Sequence, residues 1–323
     1  SYLVIYLLGT VCVMTSLGLN PYINCQGFAR MGMLTVLVGA VANIVLDPIF
    51  IFALGMGVSG AAVATVLSQL LSALWVLRFL TGPKAELRLH FRAFRPDFGC
   101  IRRIAVLGTS SFVMSFTDSM VQMACNATLR TFGGDIYISV MTVINSVRQI
   151  AQTPVMAISD GASPAISFNY GAHAYGRVRA AIRFMTQLGF GYTLLIWALV
   201  SAFPAAFIMI FNHDAELVAT AVPALHIYFF GFVMMAFQFS GQCVFKSLNR
   251  AGLAIFFSLL RKAFIVVPLT LLLPHVGGLG VNGVFLAEPI SNCVGGLACY
   301  LTMRRTVMPA LRSRGQAGAQ GIS

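Results

Sequence analysis

Asp47 is the residue on which a chemical argument can be built. It stands inside the apolar run NIVLDPIFIFALG, residues 43–55. An ionised carboxylate inside a bilayer costs roughly 2.5–3.5 kcal/mol even on a lenient insertion scale, so such a residue has a use. Asn43 lies four positions earlier, on the same face of a helix one turn deeper. Asp47 precedes Gly55 by eight residues, and Thr65 follows Gly57 by eight. If the two glycines frame a tight turn, Asp47 and Thr65 sit at equal depth on adjacent helices, about 12 Å in at 1.5 Å per residue. Pro48 has no N–H, so it frees the Ile44 carbonyl as a further oxygen. This set has no counter-charge of its own. It suits H⁺ or a small hard cation such as Na⁺, and no other metal site is expected. The competing reading is a neutral Asp47 hydrogen-bonded to Asn43 and Thr65 as a helix–helix contact.

A second polar set comprises Asp118, Arg148 and Glu288, each within an apolar stretch. An arginine near the middle of a span needs an anionic partner. A structural pair of Arg148 with a carboxylate is therefore expected ahead of a second ion site. Asp160, beside Gly161, reads as solvated at a span end, and His226 as a helix–helix contact. No HExxH, GxSxG or phosphate loop is present, so neither an enzyme nor a bound cofactor is expected. The 7 cysteines contain no CxxC pair and read as small buried hydrophobes.

The elements that must hold these residues follow from composition. Of 323 residues, 58% are hydrophobic and 9% charged, with a mean hydropathy of +0.86. A soluble domain carries roughly 25% charged residues, so this chain cannot cover a globular surface. The apolar runs are long and do not alternate, which selects helices over a barrel. Nine spans are expected near 1–19, 33–54, 58–80, 104–129, 136–165, 184–211, 217–245, 253–274 and 281–303. The net charge of +12 does not indicate nucleic acid, because the basic residues fall in short loops. All but Arg130 and Arg148 fall on one side. They include the stretch Arg78–Arg103, Arg177–Arg183, the turn with Lys246, Arg250, Arg261 and Lys262, and the tail from Arg304. The positive-inside rule makes that side, and the C-terminus, cytoplasmic.

The chain also matches itself. GMGVSGAAVATVLSQ (55–69) aligns without a gap on GLGVNGVFLAEPISN (278–292), sharing Gly55/Gly278, Gly57/Gly280 and Gly60/Gly283. Upstream, Arg30, Gly32 and Pro48 meet Arg250, Gly252 and Pro268. This reads as a parallel repeat, a transporter architecture. It implies two pseudo-symmetric six-helix bundles with nine of twelve helices present, and about 113 further residues before Ser1. The organisation expected is a partial N-terminal lobe (1–81), a cytoplasmic basic inter-lobe loop (82–103), a C-terminal lobe (104–303) and a cytoplasmic tail (304–323). The first site is not duplicated: Asn43, Asp47 and Thr65 become Ala263, Val267 and Glu288.

The segment NIVLDPIFIFALGMGVSGAAVATVLSQ (43–69) resembles the MATE family, multidrug and toxic compound extrusion, in its bacterial multidrug branch. SFNYGAHAYGRVRAA (167–181), LLRKAFIVVPLTLLLP (259–274) and GGLGVNGVFLAEPISN (277–292) are similar to later parts of that family. The resemblance implies a chain lacking the family's first three helices. It implies a multi-pass, monomeric antiporter of the bacterial inner membrane that expels small organic cations in exchange for H⁺, ahead of Na⁺. Its cation site would fall on Asp47, Asn43 and Thr65. A C-lobe Na⁺ site is not expected: Asp118 could fill one position, but residues 217–245 contain no acid. Three alternatives stay open: a lipid-linked oligosaccharide flippase of the same superfamily, a truncated nonfunctional fragment, and a membrane enzyme or receptor.

Overall fold

A computed structural model describes residues 2–89 and 97–320. Among these the chain is helical and contains no strand. It divides into two compact units, Ser1–Asp97 and Phe98–Ser323.

The first unit holds α1 (Tyr2–Cys25), α2 (Ala29–Pro48) and α3 (Gly57–Thr81). Helix α2 runs on into a π-helical stretch, Ile49–Ala53. Its buried residues are Gly32, Thr35 and Gly39, a stripe of small side chains. Met33, Val36, Val41, Ile44 and Val45 are exposed instead. A water-soluble helix has the opposite arrangement. Small residues inward and large apolar ones outward are what lipid as a solvent selects, because close helix approach is then the available attraction. Helices α1 and α2 both pack along α3. Ser72 ties α3 to α2 by donating to the Thr35 carbonyl at 3.2 Å.

The second unit comprises α4 (Phe98–Gly133), α5 (Asp135–Gly171), α6 (Tyr175–Ala202), α7 (Pro204–Met209), α8 (Ala215–Phe229), α9 (Met235–Ser247), α10 (Ala251–Leu259), α11 (Val267–Leu272) and α12 (Val281–Gln320). A π-helical stretch, Leu260–Val266, joins α10 to α11. Two apolar clusters form its interior. One gathers Leu129, Ile144, Leu225, Phe229 and Phe285 toward the start of α5. The other gathers Ile166, Ile182, Met185, Phe245 and Met303 toward its end.

Six helices among the described residues are long and apolar enough to cross a membrane. The bent pair α8 and α9, which turns through 43°, makes a seventh if it is one span. The other two expected spans lie in α4 and α5, of 36 and 37 residues. Both are long enough. They also carry Asp118, Gln122, Asn145, Arg148 and Gln149, which dilute their apolar character.

The glycine repeat has the same local geometry in both copies. Gly55 and Gly57 have φ of 64° and 55°, and Gly278 and Gly280 have 71° and 50°. A Cβ on Gly60 would stand 2.6 Å from the Phe50 carbonyl oxygen, and one on Gly283 2.9 Å from that of Leu273. Phe50 and Leu273 are related by the same offset as the two glycines. The turn and the close approach after it are thus built twice.

Candidate functional site

In the first unit, Asp47 lies in the last turn of α2, just before the π-helical stretch. Asn43 Nδ2 donates to Asp47 Oδ1 at 3.2 Å, and both side chains are half-buried. Spacing of i, i+4 on a helix face produces this contact directly. Thr65 is half-buried on the neighbouring α3, but its hydroxyl donates to the Ala61 carbonyl of its own helix at 2.9 Å. Among the described residues no ion pair engages Asp47, and no hydrogen bond joins it to Thr65. The structure therefore brings two of the three expected residues into contact and leaves the third bonded within its own helix.

The second unit holds a denser polar centre. Glu288, in the second turn of α12, is 9% exposed at its side chain. Its Oε1 accepts from Arg148 Nη1 of α5 at 2.8 Å and from Arg261 Nη1 at 3.0 Å. Arg261 Nη1 also donates to Asn292 Oδ1 at 2.6 Å, one turn along α12. Ser291 donates to the Arg261 carbonyl at 2.9 Å, which pins the π-helical stretch to α12. Asp118 of α4 pairs with Lys262. The Arg148 guanidinium lies 6.0 Å from the centre of the buried Tyr228 ring. Asp118, Arg148, Lys262, Tyr228 and Glu288 face one cavity of about 160 Å³.

The sequence grouped Asp118, Arg148 and Glu288 and expected an arginine–carboxylate pair. It did not find Arg261 and Lys262, which it assigned to the turn before the eighth span. That assignment is corrected here. Arg261 is 6% exposed, and both residues lie in the π-helical stretch inside the span Gly252–His275. Two adjacent cations nine or more residues into an apolar run were the available signal. Buried charges of this kind persist when paired.

The smaller expectations can be placed as well. Asp160 is exposed. His226 bridges helices: its Nδ1 lies 3.0 Å from the Val222 carbonyl oxygen and its Nε2 3.1 Å from that of Ser201 in α6. Arg92 and Arg95 of the inter-lobe loop, and the last three residues of the tail, lie outside the described residues.

The chain matches the MatE family over residues 110–272, half of its length. It belongs to the MATE family. Among this MATE protein's relatives is the multidrug export protein MepA of Staphylococcus aureus (strain MSSA476). The two are 22% identical over 309 residues, covering 94% of this chain and 67% of MepA. A solved structure of MATE in the bent conformation superposes with a TM-score of 0.89 at 23% identity, covering 98% of this chain and 70% of that one. A MOP superfamily transporter from Pyrococcus furiosus, described as having a binding pocket of reverse polarity, also reaches 0.89 at 23% identity, over 96% of this chain and 70% of its own. At that identity the superpositions establish a MATE transporter fold. The polar centres above therefore lie in a multi-pass membrane transporter.

Proposed function

We propose that this MATE protein exports small amphipathic organic cations across the inner membrane of a bacterium by alternating access, in exchange for a cation taken up at Asp47. The observation that carries this reading is a contrast between carboxylates. Asp118 and Glu288 are already neutralised by Lys262, Arg148 and Arg261. Asp47 has only the neutral Asn43 amide. Of these three acids, it is the one that can still take up an ion. The family relatives that are multidrug export proteins support the class of cargo. Coupling requires ion and cargo to favour opposite states of the protein, since a ligand shifts an equilibrium only by its differential affinity. The proton is the ion proposed, with Na⁺ second. The same reading places the C-terminus in the cytoplasm, from the distribution of basic residues, and takes the protein as a monomer, as the family resemblance implies.

The test is Asp47→Asn in cells that depend on the transporter to survive a cationic drug. Resistance should vanish while the protein still reaches the membrane in normal amount. Unchanged resistance would overturn the proposal. Imposing a proton or a Na⁺ gradient on vesicles separates the two ions.

A second reading gains from one observation. The cavity of the second unit and its ion pairs involve three cations, Arg148, Arg261 and Lys262, against two carboxylates. An excess of positive charge suits an anionic cargo such as a lipid-linked pyrophosphate. Competition of such a compound, but not of a cationic dye, for transport would favour this alternative.

A further inference from the structure

We propose that the basic end of the second unit holds the phosphate of an anionic phospholipid headgroup, in the cavity between α6 and α12. This site is separate from both polar centres described above. The cavity is about 410 Å³, and Arg183, Arg304 and Arg312 line it. Its lining also includes Ile182 and Met303, each 1% exposed, and the half-buried Tyr300. The pocket is therefore cationic at its rim and apolar at its base.

The three guanidinium groups have no acid to satisfy them. Among the described residues no ion pair engages Arg183, Arg304 or Arg312. Residues 161–213 and 289–323 contain neither Asp nor Glu, so neither α6 nor the rest of α12 beyond Glu288 can supply one. Thr186, also in the lining, donates to the Ile182 carbonyl at 2.8 Å, and the exposed Gln187 adds a neutral amide beside the three guanidinium groups.

Depth favours a lipid. Helix α12 starts at Val281, and a hydrocarbon core about 30 Å thick takes about 20 residues of helix to cross. Arg304 and Arg312 then fall at and beyond the far interface. Arg183 lies eight residues into α6, which enters from the same side. Arg304 thus stands at headgroup level and Arg312 about 12 Å further along α12 on the aqueous side, so the guanidinium groups lie at and outside the interface rather than in the hydrocarbon core. Arginine binds phosphate with two parallel N–H donors, and basic pockets between spanning helices on the cytoplasmic side take up anionic headgroups.

The experiment uses the purified protein in detergent, with binding of phosphatidylglycerol and phosphatidylcholine followed by native mass spectrometry and thermal unfolding. Phosphatidylglycerol should be retained and should raise the unfolding temperature, and phosphatidylcholine should do neither. Replacing Arg183, Arg304 and Arg312 together by Gln should weaken phosphatidylglycerol binding by about fivefold per residue, on the order of a hundredfold in all. Replacing the exposed Arg30, Arg78 and Arg250 together by Gln removes the same charge elsewhere and should leave binding intact. Equal weakening in both triple variants would overturn the proposal in favour of diffuse attraction. Equal retention of the two lipids would overturn it too. Inorganic phosphate that displaced the lipid at equal concentration would show that the apolar base contributes nothing, and the lipid assignment would fall. Should the triple variant fail to fold, the single variants Arg183→Gln and Arg312→Gln, both at exposed positions, carry the same test at about fivefold each.

Discussion

Arg148 Nη1 donates to Glu288 Oε1 at 2.8 Å, although the two residues are 140 positions apart in the chain. Glu288 is shared with Arg261, so one carboxylate oxygen serves two guanidinium groups from two elements. Helix α5, the π-helical stretch before α11, and α12 are held together at this point. Removing one partner of a buried ionic group costs about 3–5 kcal/mol, because the remaining charge is stranded. Glu288→Gln strands two. It should lower the unfolding temperature in detergent sharply, more than Arg148→Gln, since Arg148 is 26% exposed and Arg261 still covers the carboxylate. Unfolding temperatures that ranked the other way would refute this account of the centre.

The Asp118–Lys262 pair predicts an asymmetry. The Asp118 side chain is 52% exposed, and that of Lys262 is 17% exposed. Lys262→Gln leaves a carboxylate that water can reach, which is worth less than about 1 kcal/mol. Asp118→Asn leaves an ammonium largely withdrawn from water, with only Glu288, already shared, as an anion nearby. The second variant should therefore unfold at the lower temperature. Equal effects in a thermal melt would mean that both groups are solvated.

Much of this was legible in the sequence for particular physical reasons. The glycines of the repeat could be read because positive φ and close backbone approach exclude other residues, so their spacing survived where the intervening side chains changed. Asn43 and Asp47 could be paired because i, i+4 spacing is fixed by the helix itself. Arg261 and Glu288 could not: their contact spans two helices, and the π-helical stretch that positions Arg261 has no compositional mark. Thr65 shows a different limit of residue counting. Its depth followed from counting residues, but a threonine in a helix can satisfy its hydroxyl on the carbonyl one turn back, and here it does so.

The two copies of the glycine turn should respond alike to a methyl group. Gly60→Ala places a Cβ 2.6 Å from the Phe50 carbonyl oxygen, and Gly283→Ala places one 2.7 Å from the Leu273 carbonyl carbon. In each case the obstacle is backbone and cannot turn aside. Overpacking of this kind costs about 1–3 kcal/mol. Gly191→Ala in α6 is the control. Nothing lies within 4 Å of its Cβ position, and alanine there should be neutral or stabilise by up to about 1 kcal/mol. Melting curves for the three variants check all of this, and a stable Gly60→Ala beside a destabilised Gly283→Ala would break the equivalence.

Asn43 and Thr65 should differ in their effect on transport. The Asn43 amide supplies Asp47 with a hydrogen bond, whereas the Thr65 hydroxyl is bonded within its own helix. A hydrogen bond of this kind is worth about 0.5–1.5 kcal/mol, or about two- to tenfold in an equilibrium. Asn43→Leu keeps the branched shape and removes the amide, so ion-driven efflux from vesicles should fall by about that factor. Thr65→Val keeps the shape and loses a bond that does not reach Asp47, so efflux should remain near the unsubstituted level. If Thr65→Val instead matches Asp47→Asn in its loss of transport, the hydroxyl must leave Ala61 and join the ion in another state of the cycle. The three-residue site expected from the sequence would then form during transport. Near-normal efflux in Thr65→Val, with reduced efflux in Asn43→Leu, would limit the coupling group to the Asn43–Asp47 pair.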